Sequence, residues 1–391
     1  MFAKRTNWDL APNRLSDALA KHRASGARLL DLTASNPTKC GFKYDEDKIV
    51  GALANRASLA YAPEPQGLET AREAVTKYYS SLRVAVPIED IFLTTSTSEA
   101  YAYAFRLLCN SGDEILIPAP SYPLFDFLAD IQDVKPVRYS LVYDHGWQID
   151  FHSLERAITP RTRAIVVVHP NNPTGHFTKR SELEKLNAIC AERRLALIAD
   201  EVFLDFSLGT ERPANFAANS DALTFTLSGV SKICGLPQMK AAWLVVSGPQ
   251  KLKDEAKARL EVIADTFLSM NAPVQLALPT FLLQGRAFQK QLMQRVRRNL
   301  AELEQQLSLQ RVCSRLELEG GWYAILRVPA TRSDEDLALA LLREKGVYVH
   351  PGHFYDLPGD GFLVLSLISR GAEFSPGLTS LLESFATPQG G

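Results

Sequence analysis

The stretch Ala164-Ile-Val-Val-Val-His-Pro-Asn-Asn-Pro-Thr-Gly175 joins a run of mostly β-branched apolar residues to a turn. Residues 181–193 follow with an apolar stripe at helical spacing, and Leu195-Ala-Leu-Ile-Ala-Asp-Glu201 is a second apolar run that ends in acidic residues. Two short apolar runs separated by a helical pattern predict a β-α-β unit with parallel strands. Ligands of open α/β sheets bind beyond the carboxyl ends of the strands, so Asn172 and Asp200 are expected to border a binding site.

Predicted strands and helices alternate through the middle of the chain, which favours a mostly parallel sheet. The predicted strands of this part are residues 91–95, 114–118, 134–139, 164–168, 196–199, 223–227 and 242–246. A long charged helix predicted over residues 287–309 precedes shorter strands at 316–318, 323–328, 347–349 and 362–367. We therefore expect an α/β fold with two domains. A large domain over residues 45–285 has a mostly parallel central sheet flanked by helices, and a smaller α+β domain covers residues 286–391.

The composition of the 391 residues argues against several classes of protein. A hydrophobic fraction of 46% is ample for sizeable cores, and a net charge of −1 gives no general attraction to nucleic acid or to an anionic membrane. The five cysteines are scattered and form no Cys-x-x-Cys pair, so neither a disulfide framework nor a metal site is indicated. The N-terminus lacks an apolar signal-peptide core, and no run approaches roughly 18 apolar residues. We expect a cytoplasmic protein that binds neither nucleic acid nor membrane.

Lys232 stands in the stretch Ser228-Gly-Val-Ser-Lys-Ile-Cys-Gly235, directly after the apolar run at residues 223–227. The amine of such a lysine can form an imine with an aldehyde cofactor, and the hydroxyl and amide groups around it can hold a phosphate. A single lysine is more often a solvated surface residue. The polar residues at the ends of the neighbouring predicted strands favour the first interpretation.

Asn172, Asp200, Lys232 and the distant Arg370 stand in an order and spacing that resemble those of the class I and II aminotransferases. These are fold-type-I enzymes, similar to aspartate aminotransferase, that use pyridoxal 5′-phosphate (PLP). The resemblance extends over nearly the whole chain. It implies a fold-type-I PLP transferase in which the N-terminal segment, residues 1–44, packs with the small domain.

The resemblance implies a role toward the cofactor for three residues of this set. Lys232 would form the Schiff base with PLP and, once displaced by the substrate amine, would transfer the proton at the substrate Cα. Asp200 would pair with the pyridine nitrogen, and Asn172 would donate a hydrogen bond to O3′ of the cofactor. A helix cap or surface ion pair is the structural alternative for Asp200, and a simple turn is the alternative for Asn172.

A phosphate-binding loop is predicted at Ser96, Thr97 and Ser98, which follow a strand and open a helix. Backbone amides and the helix dipole favour an anion at such a place, although a simple N-cap is the alternative. Ser228 and Ser231 offer further hydroxyl groups, and which of them reaches the phosphate is left open.

Two residues depart from the pattern of the family. Lys240 stands eight residues after the Schiff-base lysine, where an arginine is usual, and a point charge should hold the phosphate more loosely than a planar guanidinium. Phe203 stands where the family usually has a tyrosine that donates to O3′. Loss of that donor is expected to raise the pKa of the imine relative to a Phe203→Tyr variant.

The resemblance also assigns roles to Arg370 and to three further residues. Tyr122 would stack on the pyridine ring, and Tyr61 would reach the phosphate of the neighbouring subunit, which implies a homodimer with shared active sites. Arg370 would bind the substrate α-carboxylate through a bidentate pair, and Asn36 would line the carboxylate pocket. A loop tyrosine is the alternative for Tyr61, a surface salt bridge for Arg370 and a capped turn for Asn36.

These features predict a PLP-dependent amino-acid aminotransferase, which moves an α-amino group from an amino acid to a 2-oxo acid by a ping-pong mechanism. A PLP-dependent lyase is the alternative, either a carbon–sulfur β-lyase or an aminocyclopropane-carboxylate-synthase-like enzyme, because the same side chains serve all of these reactions. Residues 265–273 are expected to border the substrate pocket and contain no lysine or arginine, which favours neutral or aromatic amino donors.

Overall fold

A computed structural model describes residues 1–210 and 213–386. The strands are β1 (Leu30–Asp31), β2 (Ile91–Thr94), β3 (Glu114–Ala119), β4 (Lys135–Tyr143), β5 (Trp147–Ile149), β6 (Thr162–Val168), β7 (Ala196–Asp200), β8 (Thr224–Gly229), β9 (Ala242–Ser247), β10 (Ser314–Arg315), β11 (Tyr323–Arg327), β12 (Val347–Tyr348), β13 (His350–Pro351) and β14 (Phe362–Ser366). The helices are α1 (Arg14–Ala24), α2 (Glu46–Ala52), α3 (Glu69–Ser81), α4 (Thr97–Leu108), α5 (Phe125–Asp130), α6 (Phe151–Ala157), α7 (Arg180–Arg193), α8 (Val230–Ile233), α9 (Gln250–Phe267), α10 (Ala272–Ser308), α11 (Asp334–Lys345) and α12 (Gly371–Ala386). Short 3-10 helices join several of these elements.

The largest sheet has eight strands in the order β2-β9-β8-β7-β6-β3-β4-β5. The five central strands from β8 to β4 are parallel, whereas β9 is antiparallel to β2 and β8, and β5 is antiparallel to β4. Val168 of β6 and Leu227 of β8 are both paired with Asp200 of β7. In this register β6 and β7 end at the same level and β8 continues two residues further, to Gly229, so the residues that follow all three strands start from the same edge of the sheet.

Helices cover both faces of this sheet. Ala164, Val166 and Val168 of β6 pack in a cluster with α4, α5 and α9, whereas Ile165 and Val167 pack on the opposite face in a cluster that includes α7. Successive side chains of a strand point to opposite faces, so a strand covered on both sides needs apolar residues throughout. This requirement explains the continuous apolar run at residues 164–168.

Helix α10 connects the two parts of the molecule. Its 37 residues extend over about 55 Å; the first half packs with α3 and the large sheet, and the second half packs in the core of the smaller sheet. The side chain of Asn271 caps its N-terminus, Pro273 lies in its first turn and Pro279 lies inside it. The helix predicted over residues 287–309 covers only the second half, because the two prolines interrupt the sequence pattern of the first. The predicted domain boundary after residue 285 falls within this helix.

The smaller sheet is antiparallel throughout, in the order β10-β11-β14-β13. The N-terminal segment joins this part, because β1 pairs with β12 and Arg14 of α1 forms ion pairs with Glu335 and Asp336 of α11. The strand predicted at 316–318 is wrong, because the strand here is β10, and after it only the Leu316 amide still donates to β11, at the Ile325 carbonyl 2.9 Å away, among the bonds of the described chain. The division of the chain at residues 44 and 285 stays a prediction, and residues 387–391 lie outside the described part.

Two observations concern the whole described chain. No single helix in it is long and apolar enough to cross a membrane; α9 and α10 satisfy length and composition only as a pair, which is bent by 120°. All five cysteines are free thiols.

Candidate functional site

A cavity of about 480 Å³ opens beyond the carboxyl ends of β6, β7 and β8. Most of the predicted site residues line it: Ser96, Thr97, Ser98, Tyr122, Asn172, Asp200, Phe203, Ser231, Lys232 and Lys240. They come from separate stretches of the chain, and the common edge of the parallel strands brings them together.

Lys232 lies in the single turn of α8, directly after β8. Its Nζ lies 5.7 Å from the ring centre of Phe203 and 5.1 Å from that of Trp322, so the amine stands among aromatic groups. Burial lowers the pKa of Lys232, and the nearby Asp200 carboxylate opposes this shift. An amine with a lowered pKa is unprotonated, and therefore nucleophilic, at a lower pH than an exposed lysine.

Asp200 ends β7 and holds a fixed carboxylate. Its Oδ1 accepts a hydrogen bond of 3.1 Å from the Val202 amide, and its Oδ2 accepts one of 3.1 Å from the Tyr101 hydroxyl. Burial raises the pKa of Asp200 to about 6, although these two bonds and Lys232 lower it. The carboxylate is therefore mostly ionised at neutral pH. Tyr101 lies on α4, and sequence reasoning missed it.

The N-terminus of α4 forms one end of the cavity. Ser96 caps the helix, and its Oγ accepts the Glu99 amide hydrogen at 3.1 Å. Within the described residues the amides of Thr97 and Ser98 have no acceptor, and these two N–H groups start a helix of 12 residues. Such a terminus favours an anion.

Lys240 contributes a positive charge to the same cavity. The residue is exposed, has a left-handed backbone with φ of 51°, and its ammonium forms no hydrogen bond or ion pair within the described chain. Its charge is thus free to meet a ligand.

The serines around Lys232 differ in position. Ser231 lines the cavity, whereas Ser228 is buried within β8, does not line it, and its Oγ has no partner in the described chain. Gly229 cannot be replaced by a serine without a shift of β9, because a Cβ there would lie 2.8 Å from Cβ of Ala242 and 2.9 Å from the Ala241 carbonyl oxygen. Ser231 is therefore the serine that the fold presents to a ligand.

Besides Ser228, three more of the predicted residues do not line this cavity. Tyr61 is 84% exposed and lines a separate cavity of about 400 Å³. The Asn36 side chain caps a short turn by accepting from the amide and the hydroxyl of Thr38. Arg370 is exposed, and its Nη2 donates to the Lys39 carbonyl at 2.9 Å. The roles assigned to these three residues stay predictions.

The smaller sheet and the segments around it contribute a second wall. Tyr323 belongs to β11, His350 to β13, and Phe354 and Tyr355 to the turn after it, while Ser35 comes from the N-terminal segment. Sequence reasoning did not assign these residues, since they lie in no motif and far along the chain from Lys232.

The groups on the cavity fit PLP. The amine of Lys232 can combine with an aldehyde, Asp200 can face a ring nitrogen, and the free amides of α4 together with Lys240 make an anion site. Within the described residues, no group of three or more His, Cys, Asp and Glu side chains is arranged to hold a metal ion.

Residues 29–367 match the family model of class I and II aminotransferases. The chain belongs to this family. One similar protein is the glutamate-pyruvate aminotransferase AlaA of Escherichia coli (strain K12), which is 32% identical to this chain over 259 residues. That alignment covers 66% of this chain and 64% of the relative.

Solved structures agree with the family assignment. An Escherichia coli aminotransferase matches with a TM-score of 0.86 and 25% identity, covering 100% of this chain and 99% of that one. The alanine aminotransferase of Pyrococcus furiosus has the same fold, with a TM-score of 0.88, 22% identity, and coverage of 99% and 100%. The predicted α/β fold of the aspartate-aminotransferase type is confirmed.

Proposed function

We propose that this chain is a PLP-dependent amino-acid aminotransferase that transfers an α-amino group from an amino acid to a 2-oxo acid. The observation that carries the proposal is the position of Lys232, Asp200 and the free amides of Thr97 and Ser98 on one cavity. Membership of the aminotransferase family supports it, as does the name of the Escherichia coli relative.

The chain offers a place for each part of the cofactor. The amides of Thr97 and Ser98, the hydroxyl of Ser231 and the ammonium of Lys240 would hold the phosphate. Tyr122 would cover a face of the ring, and Asn172 would donate to O3′. When bound, PLP supplies an aldehyde that combines with amines and a ring that accepts the electron pair left at the substrate carbon.

Asp200 and Lys232 would handle the protons. The Asp200 carboxylate, held by Tyr101 and the Val202 amide, would keep a proton on the ring nitrogen. The Lys232 amine would first attach the cofactor and, once displaced, its Nζ would take the proton from the substrate Cα. Because donor and acceptor would use the same lysine and cavity, the first product leaves before the second substrate enters.

Half-reactions test this proposal. Mixing the PLP-loaded protein with a panel of amino acids should change the visible absorption of the cofactor, and adding a 2-oxo acid should restore it. Lys232→Ala should abolish both changes. Irreversible release of ammonia and a 2-oxo acid would assign the chain to the lyases instead, and a spectrum that no amino acid changes would contradict the proposal.

A homodimer with shared active sites is part of the proposal. Tyr61 is 84% exposed, and Leu59 of the same segment is 89% exposed, so the described part of one subunit leaves these apolar groups uncovered. Sedimentation at several concentrations should give the mass of two chains, and Tyr61→Phe should weaken PLP binding without dissociating the dimer. A monomer that binds PLP with full affinity would contradict active sites shared between two subunits.

We also propose a cytoplasmic location, which the five free thiols support, because the cytosol keeps cysteines reduced. Fractionation of cells that produce the chain tests this.

A further inference from the structure

The wall that the smaller sheet adds to the cavity consists of aromatic side chains. We call Tyr323, His350, Phe354 and Tyr355 the small-sheet wall. The ring centres of Tyr323 and Tyr355 lie 6.4 Å apart, and those of His350 and Phe354 lie 5.8 Å apart, so the four rings form one contiguous surface. None of the four belongs to the groups that would hold the cofactor.

The small-sheet wall carries no charge at neutral pH. Nδ1 of His350 lies 3.0 Å from the Tyr355 hydroxyl, and burial lowers the pKa of His350 to about 4. Burial raises the pKa of Tyr323 to about 12 and raises that of Tyr355 as well. All four side chains are therefore neutral in the range where such a protein works.

The charged residues of the cavity lie elsewhere. Among the described residues that line it, Lys232 and Lys240 are the cations and Asp200 is the anion, and all three are assigned to the cofactor. No arginine of the described chain lines the cavity, and Arg370 is bonded to the Lys39 carbonyl outside it. Arg370 is assigned to the α-carboxylate that every amino acid carries, so a second carboxylate on the substrate side chain would find no further cation among the described residues that line the cavity.

We propose that the small-sheet wall is the side-chain pocket and that it selects uncharged aromatic side chains over acidic ones. The proposal rests on the proposed function, since it concerns the substrates of that reaction. Stacked and edge-on contacts with several rings favour an aromatic group, and a neutral wall disfavours a second carboxylate. The Escherichia coli relative is named a glutamate-pyruvate aminotransferase, so the proposed preference for aromatic over acidic substrates would differ from the substrate in that name.

Binding of unreactive carboxylates to the PLP-loaded protein tests the pocket apart from turnover. We expect 3-phenylpropionate to bind at least tenfold more tightly than glutarate in calorimetric titrations. Equal or tighter binding of glutarate would overturn the proposal and would mean that a cation enters the pocket from elsewhere. Failure of both compounds to bind would overturn it too.

A matched pair of variants locates the selectivity. His350→Arg places a cation in the small-sheet wall and should tighten glutarate binding about tenfold, whereas His353→Arg adds the same charge at an exposed position outside the cavity and should change nothing. Phe354→Lys gives a second test at a partly exposed position, in case His350→Arg does not fold. Equal effects of His350→Arg and His353→Arg would show that the wall does not contact the side chain.

Half-reactions separate this proposal from the general one. If phenylalanine or tyrosine changes the cofactor spectrum at least tenfold more efficiently than glutamate, both proposals hold. If glutamate is as efficient, the aminotransferase stands and the selectivity falls. If no amino acid reacts while 3-phenylpropionate still binds selectively, the proposed function falls and the pocket stands.

Discussion

The Tyr101 hydroxyl donates a hydrogen bond to Oδ2 of Asp200, 3.1 Å away. Tyr101 lies one helical turn beyond Thr97 and Ser98 on α4. The first amides of this helix would bind the phosphate of the cofactor, and Tyr101 binds the aspartate that would face the ring nitrogen. The phosphate site and the ring site are thus fixed to the same short helix.

Tyr101→Phe should move the pH dependence of PLP binding upwards. The bond to Tyr101 lowers the pKa of Asp200, and Lys232 does the same, so losing one of them raises this pKa above its value of about 6. The carboxylate would then lose its charge at a higher pH as the pH falls, and PLP binding would weaken there. Dissociation constants measured from pH 5 to 8 check this. Tyr103→Phe on the same helix is the control, and identical profiles for wild type and Tyr101→Phe would contradict it.

Lys240→Ala should weaken PLP binding by about tenfold to a hundredfold, because a charge-assisted bond to the phosphate is lost. Lys240→Arg should retain binding. Lys251→Ala removes a charge at an exposed position of α9 and serves as the control in fluorescence titrations. An unchanged dissociation constant for Lys240→Ala would remove Lys240 from the phosphate site.

Phe203→Tyr should lower the pH at which the visible absorption of the bound cofactor changes. Phe203 lines the cavity with its ring centre 5.7 Å from Lys232 Nζ, so a hydroxyl added there can supply the donor to O3′ that this chain lacks. Spectral titration of both proteins measures the difference. Coincident curves would show that position 203 does not act on O3′.

Glu201→Gln should make stability less dependent on pH. Burial raises the pKa of Glu201 from 4.5 to about 8, helped by Asp200 and Asp205, although the Phe216 amide opposes it. Between these values the folded state keeps a proton that the unfolded chain releases. The contribution is therefore complete below about pH 4.5 and is lost as the pH rises through about 8.

Wild type should accordingly lose stability relative to the glutamine variant by at most about 1.4 kcal/mol for each pH unit in this window. Urea unfolding at pH 5 and pH 8 measures the difference, and the opposite sign would contradict the burial of a protonated Glu201.

Arg370→Ala should raise KM for amino acids by about tenfold or more, because the resemblance assigns this guanidinium to the substrate α-carboxylate, and the bond of its Nη2 to the Lys39 carbonyl leaves other N–H groups that can pair with a carboxylate. Steady-state kinetics with several amino acids measure the change. A rise of less than about threefold would contradict the carboxylate role.

The sequence was sufficient where a residue follows a local pattern. Asn172, Asp200 and Lys232 each come soon after an apolar strand, and parallel strands end on a common edge, so their meeting could be predicted along with the fold. The family and the fold class are confirmed by the comparisons.

Other parts of the site depend on contacts between distant segments. Tyr101 occupies an ordinary position on a helix, and its bond to Asp200 follows from how α4 packs across the sheet, which no local pattern reports. His350 and Tyr355 reach the cavity only through the packing of the smaller sheet. Arg370 is turned towards Lys39, which lies 331 residues earlier, and sequence spacing cannot give that direction.

The close approach of β8 and β9 at Gly229 constrains how this lineage can change. A serine at position 229 would collide with Cβ of Ala242 and with the Ala241 carbonyl oxygen, so a single mutation cannot place a hydroxyl there. A descendant could gain a hydroxyl at this position only after β9 had moved away, so the order of the two changes decides which variants evolution can reach.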